Sequence, residues 1–205
     1  TRKRSYTFAV QQEKEQQSEK NTVGFAPKNL GATVNSKMSE YLPSQTIDGT
    51  QLFFTRRVDI YNEDFYGSSR QKISTWENAQ PLKGSLNTPQ SEGAMMISQD
   101  GNWLVFTGCY RPDSYGGCDL YISYKNKEGW SAAKNLGNRI NSDQWESQPC
   151  LSPDKRELYF ASRKPGGLGG SDLYVSRLQD NGQWSDPENL GPGINSAADE
   201  QCPFI

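Results

Sequence analysis

Asn135 to Trp184 reads as Asn135-Leu136-Gly137, Ile140-Asn141-Ser142, Glu146-Ser147-Gln148-Pro149, Ser152-Pro153-Asp154, Leu158-Tyr159-Phe160, Asp172-Leu173-Tyr174 and Trp184. The order then begins again with Asn189-Leu190-Gly191, Ile194-Asn195-Ser196, Asp199-Glu200 and Pro203. Upstream the same markers recur. Asn35, Asn87, Asn141 and Asn195 are 52, 54 and 54 residues apart, and Glu40, Glu92, Glu146 and Glu200 keep the same intervals. Trp76, Trp130 and Trp184 are spaced by 54 and 54. A fixed period of this size, with several short apolar runs per unit, signals stacked sheets that bury their faces against one another.

Each unit has one coarse plan. A strand follows the repeating glutamate, at Tyr41 to Gln45, Ala94 to Ser98 and Gln148 to Ser152. A tight turn comes next, marked by Asp48-Gly49, Asp100-Gly101 or Pro153-Asp154, residues that accept positive φ or preset a turn. The second strand, at Leu52 to Thr55, Trp103 to Thr107 and Leu158 to Ala161, is nearly continuous in apolar residues and is expected to be covered on both faces. A third starts at Asp64, Asp119 and Asp172, and the tryptophans are expected to open a short fourth. Four antiparallel strands per unit make a propeller blade. The expected fold is therefore all-β: an incomplete propeller of three four-stranded blades plus the first strand of a fourth, Asp199 to Ile205. A closed propeller needs about 4 to 8 blades, so the array is read as part of a longer chain. Residues 29–205 form the propeller. Residues 1–28 are read as a helix and linker from an upstream domain, with the helix over about Ser5 to Gln17 and a frayed tail as the alternative.

The pattern Ser152-Pro153-Asp154, Leu158-Tyr159-Phe160, Ser162-Arg163, Gly169-Gly170 and Asp172-Leu173-Tyr174-Val175-Ser176 resembles the WD40-like (PD40) propeller repeat of the TolB type. With Asn189-Leu190-Gly191, Ile194-Asn195-Ser196 and Asp199-Glu200 added, it is similar to the propeller of OmpA-family cell-envelope lipoproteins of Bacteroidota. The likeness covers about Phe25 to Ile205. It departs in the first unit, which has no Gly-Gly before Asp64, and in the second, where Cys109 stands in the place of Arg163. The resemblance implies a periplasmic, outer-membrane-associated protein that is not an enzyme. The propeller would meet protein partners in an envelope assembly such as the type IX secretion system. Peptidoglycan would be bound through a domain outside this chain, and the membrane reached only through a lipid anchor outside it.

Composition narrows the chemistry. Lys plus Arg number 22 against 24 for Asp plus Glu, so no basic patch dominates and nucleic acid is not an expected partner. There is no histidine, which removes Ser-His-Asp and Cys-His catalysis and all His-ligated metal sites. No apolar run approaches the roughly 18 residues of a membrane span. No cofactor or metal is expected.

Of the four cysteines, Cys109 and Cys118 flank a turn-rich loop between two predicted strands. A disulfide there closes a loop of about ten residues, stabilising by roughly 2 to 3 kcal/mol in the chain-entropy model. Cys150 and Cys202 occupy the same strand of successive units and are expected to be unpaired, facing equivalent directions.

Candidate functional residues each have a plain alternative. Glu40, Glu92, Glu146 and Glu200 begin the strand nearest a propeller channel and could ring it with carboxylates for a cation or sugar. Equally, each could hold a neighbouring loop through backbone amides, and strict repetition favours this second role. Ser98-Gln99-Asp100-Gly101-Asn102-Trp103 is read as a hairpin turn, and Gly166-Gly167-Leu168-Gly169-Gly170 as a flexible loop without the ending of a phosphate cradle. Tyr110, Arg111, Tyr115 and Trp145 sit in or beside loops and are candidate partner contacts, since aromatics and arginine dominate interface hot spots. An interaction module is the first functional reading. A carbohydrate-binding or carbohydrate-cleaving propeller is the second, and the propeller gate of a peptidase the third.

Overall fold

The computed structural model describes residues 26–71 and 74–205. The N-terminal helix expected over residues 5–17 lies outside them. All the strands fall within one compact unit, Gly31–Ile205.

Among the described residues three antiparallel sheets follow one another. The first blade is β1 (Glu40–Gln45), β2 (Gln51–Arg57), β3 (Glu63–Ser69) and β4 (Gln80–Pro81), hydrogen-bonded in that order. The second is β5 (Ser91–Ile97), β6 (Trp103–Cys109), β7 (Cys118–Asn126) and β8 (Gly129–Trp130), with β9 (Lys134–Asn135) also paired to β7. The third is β10 (Glu146–Leu151), β11 (Glu157–Ser162), β12 (Asp172–Arg177) and β13 (Glu188–Asn189). The chain is part of a β-propeller.

The blades share their cores. Phe53 and Phe65 of the first blade pack with Leu104, Phe106 and Tyr121 of the second, while Val105, Leu120 and Ile122 of the second pack with Leu158, Phe160 and Tyr174 of the third. Strand β6 explains its own composition. Side chains alternate between faces, so Leu104 and Phe106 reach back to the first blade and Val105 forward to the third. A strand covered on both sides needs no polar alternation.

The asparagines of the repeat join one blade to the next. Asn87 accepts from the Phe65 amide at 2.8 Å and donates to the Phe65 carbonyl at 3.1 Å. Asn141 does the same to Leu120, and Asn195 to Leu173. One amide side chain thus replaces a missing strand partner at each third strand.

Two expectations about strands need correction. The tryptophans do not open the fourth strand in every blade. Trp130 lies in the two-residue β8, but Trp184 makes only an isolated bridge with Leu178, and the ladder partners shared by all blades are 80–81, 134–135 and 188–189. The indoles of Trp130 and Trp184 are instead buried in the inter-blade cores. The final segment carries less strand than expected: Asp199 makes a parallel bridge with Ser171, and residues 200–205 are in no ladder.

Candidate functional site

The repeating glutamates accept the same two hydrogen bonds in every unit. Glu40 takes the Ser36 amide at 3.0 Å and its hydroxyl at 2.5 Å. Glu92 takes the Thr88 amide at 2.9 Å and hydroxyl at 2.5 Å. Glu146 takes those of Ser142 at 2.8 and 2.6 Å, and Glu200 those of Ser196 at 3.0 and 2.5 Å. Each carboxylate therefore fixes the loop that enters its own blade, and the amide-holding role accounts for all four.

Two of them also pair with a cation and a third has one in its neighbourhood, which the sequence did not reveal. Arg56 donates to Glu40 at 2.9 Å, Arg111 to Glu92 at 2.8 Å, and the Lys164 ammonium lies in the field of Glu146. The same cations cover stacked ring pairs: Arg56 over Phe54 and Tyr66, Arg111 over Phe106 and Tyr121, Lys164 over Phe160 and Tyr174. Each also donates to a loop carbonyl, that of Val34, Leu86 or Ile140. The cation arrives by two routes. Arg56 stands on the strand directly opposite Glu40, whereas Gly108 and Ser162 occupy that register in the other blades and the cation reaches in from the loop beyond. A Cβ on Gly108 would lie 2.7 Å from Arg111 Nε, so the glycine leaves the space that Arg111 fills.

Arg111 is thereby removed from the expected partner contacts, since its side chain is spent on Glu92 and the Leu86 carbonyl. Burial pushes the Glu92 carboxyl up, opposed by the Thr88 hydrogen bonds and by Arg111. Burial likewise lowers Lys164. Trp145 is half-buried beneath the Arg163 guanidinium, 5.0 Å from its ring centroid. Tyr110 and Tyr115 stay in solvent, with Tyr110 79% exposed and its φ at 54°.

The β6–β7 loop that carries them is firmly held. Cys109 and Cys118 are bonded at its base, and Asp119 accepts from the amides of Tyr115 and Gly116. Gly117 donates to the Gln144 carbonyl of the next blade at 2.9 Å. The β11–β12 loop copies this arrangement: Asp172 accepts from the amides of Leu168 and Gly169, and Gly170 donates to the Ala198 carbonyl. The Gly166 to Gly170 run is thus no flexible tether along its length. A Cβ on Gly169 would lie 2.0 Å from the Ala198 oxygen, so its last residues are small to let two loops touch.

The first blade lacks both the glycines and the asparagine, Pro81 standing where the other blades have Asn135 and Asn189. Its Asp64 is the result. Oδ1 is buried without a hydrogen-bond partner, and desolvation, reinforced by Asp59, raises its carboxyl.

A cavity of about 420 Å³ lies along the inner strands. Leu42, Ala94, Gln148 and Cys202 line it, and all four are non-glycine residues with positive φ, at 49, 48, 56 and 55°. The first three mark one β-bulge repeated at the propeller period, where two residues of β1, β5 or β10 oppose one on the neighbouring strand, and Cys202 keeps the same φ one period on without a ladder. Among the described residues, no Asp, Glu, Lys or Arg lines it. The two free cysteines also border it but do not face equivalent ways. Cys202 takes the place of Gln148 one period on and is exposed, while Cys150, two places beyond Gln148, is buried with its thiol pushed up by desolvation. Among the described residues no group of three or more His, Cys, Asp or Glu could hold a metal ion.

No family model and no curated protein sequence matches the chain. Solved propeller structures are similar to it at low identity. TolB from Acinetobacter baumannii is 15% identical over 72% of this chain and 31% of its own, with a TM-score of 0.49. The β-propeller domain of the Trilobed protease from Pyrococcus furiosus is 10% identical over 74% of this chain and 43% of its own, with a TM-score of 0.42. A putative TolB from Agrobacterium tumefaciens is 14% identical over 76% of this chain and 62% of its own, with a TM-score of 0.39. The chain spans less than a third of the Acinetobacter protein.

Proposed function

We propose that this propeller is a non-catalytic interaction module of a periplasmic, outer-membrane-associated lipoprotein, one that scaffolds an envelope or secretion complex and is tied to peptidoglycan through a domain outside this chain. The observation that carries the reading is the allocation of charge. The recurring glutamates and their cations are consumed inside the blades, and the channel-side cavity is lined without a carboxylate or an ammonium. Hydrolysis of a glycosidic bond needs two carboxyl groups about 5 to 10 Å apart in distinct environments, and no Asp or Glu side chain is among the described residues lining the cavity. The envelope setting rests on the repeat motifs that resemble the Bacteroidota lipoproteins.

The test is isolation of the full-length native protein from its own envelope, with mass spectrometry of what accompanies it and of its intact mass. An outer-membrane assembly travelling with a protein well above 23.0 kDa is the expected result. A protein that travels alone and retains a glycan would overturn it.

A further inference from the structure

The outer hairpin of the third blade carries chemistry that no contact between blades uses. Leu178 and Trp184 bridge at its base, and the Gln179 amide donates to the Gln183 carbonyl at 2.9 Å. Residues 179–183 are all exposed. At the tip stands Asn181-Gly182, the one Asn-Gly pair in the sequence.

The Gln183 amide donates to Asn181 Oδ1 at 2.9 Å, which polarises the side-chain carbonyl and folds it back along the backbone that follows. Among the described residues Asn181 Nδ2 donates to no group, so it can depart without breaking a hydrogen bond. Gly182 sits at φ 78°, and an added Cβ would meet nothing within 4 Å, so neither a side chain of its own nor a neighbour crowds its nitrogen. One contact opposes reaction: the Gly182 amide donates to the Gln179 carbonyl at 2.9 Å. That bond lies at an exposed tip above a single bridge, where local opening costs little.

The other asparagines lack this combination. Asn87, Asn141 and Asn195 spend both ends of the amide on the backbone of a third strand, and Asn135 and Asn189 donate to Asp119 and Asp172. Asn126 is an internal control. It is exposed in the β7–β8 hairpin and accepts from the Glu128 amide at the same 2.9 Å, but Lys127 follows it instead of glycine.

We propose that Asn181 is a modification site, deamidated with the Gly182 backbone as nucleophile and water as co-reactant. The Gly182 nitrogen loses its proton to solvent base and bonds to Asn181 Cγ. The Cγ–Nδ2 bond breaks, and Nδ2 takes a proton from water and leaves as ammonia. Water then opens the cyclic imide. Attack at Cγ gives aspartate, and attack at the backbone carbonyl gives isoaspartate; nothing is oxidised or reduced. Either product sets a new carboxylate beside Asp180, which pairs with Arg156 at 2.9 Å, and isoaspartate lengthens the backbone between Leu178 and the buried Trp184.

The test incubates the native full-length protein at neutral and mildly alkaline pH and follows each asparagine by peptide mass spectrometry, with isoaspartate resolved from aspartate. Conversion at Asn181 is expected at least about tenfold faster than at Asn126, because only glycine leaves the attacking nitrogen without a Cβ beside it. It should rise roughly tenfold for each pH unit, with the deprotonated fraction of the amide. Asn181→Gln, which would have to close a larger ring, should abolish it at unchanged melting temperature. A rate no greater than that at Asn126 overturns the proposal. So does conversion that begins only in urea-unfolded protein, since the Gln179 carbonyl would then be protecting the site.

Discussion

Arg111 Nη2 lies 2.8 Å from Glu92 Oε1, a carboxylate whose side chain has no solvent exposure, and the guanidinium stacks over Phe106 and Tyr121. The blade thereby closes its loop, neutralises its buried charge and covers its core aromatics with one side chain. Blade 1 uses the same three-part joint with Arg56, whereas in blade 3 Ser162 donates to Glu146 at 2.6 Å and Lys164 covers the rings.

Removing one member of a buried pair leaves the other charge uncompensated, typically at about 3 to 5 kcal/mol. Glu92→Ala is therefore expected to destabilise by that order, because Arg111 and the Thr88 amide lose their acceptor together. Glu200→Ala should cost less than about 1 kcal/mol, as its hydrogen bonds with Ser196 lie in an exposed loop. Urea unfolding of both variants checks the contrast, and equal losses would contradict it.

The two routes by which the cation arrives should be interchangeable. Gly108→Arg alone collides with Arg111, and Arg111→Ala alone strands Glu92. Together they rebuild in blade 2 the arrangement of Arg56 and Glu40. A double-mutant cycle is expected to show the pair more stable than either single variant, with a coupling of about 1 to 3 kcal/mol.

Asp64 supplies a pH-dependent signature. Its folded-state pKa is raised above the ordinary 3.8 by desolvation and by Asp59, so the folded state holds the proton more tightly than the unfolded one. Its contribution to stability is thus lost as pH rises from near 3.8 through the raised folded value. Asp64→Asn should raise the melting temperature at pH 7, by no more than about 1 kcal/mol in stability because the group is partly solvated. The advantage should vanish at pH 3, where both states of the wild type are protonated.

Thiol titration checks the cysteines. The folded protein should expose one reactive thiol, Cys202, and unfolding without reductant should add Cys150. Reduction should bring the total to four and lower stability by about 2 to 3 kcal/mol as the β6–β7 loop is released.

The blades were legible because their signals are local and repeated. Asp48-Gly49 and Asp100-Gly101 mark turns, and β6 reads as doubly covered because it is apolar without alternation. The amide-holding role of the glutamates followed from repetition. What the sequence concealed depends on through-space contact. The cations stand 16, 19 and 18 residues after their glutamates, so no fixed spacing discloses them, and Gly108 signals a neighbour only once Arg111 is seen folded over it. The bulge positions Leu42, Ala94, Gln148 and Cys202 share no residue type at all; the inner-strand geometry, not side-chain preference, sets their backbone. Gly169-Gly170 was misread as freedom where the reason for it is close approach.

The central claim is that the recurring glutamates serve the blades and not a partner surface. Its most direct test measures, on full-length protein, both melting temperature and the co-purifying envelope partner for Glu92→Ala. The account predicts a variant that melts lower yet still captures its partner at temperatures where it is folded. A folded variant that loses the partner would contradict the account.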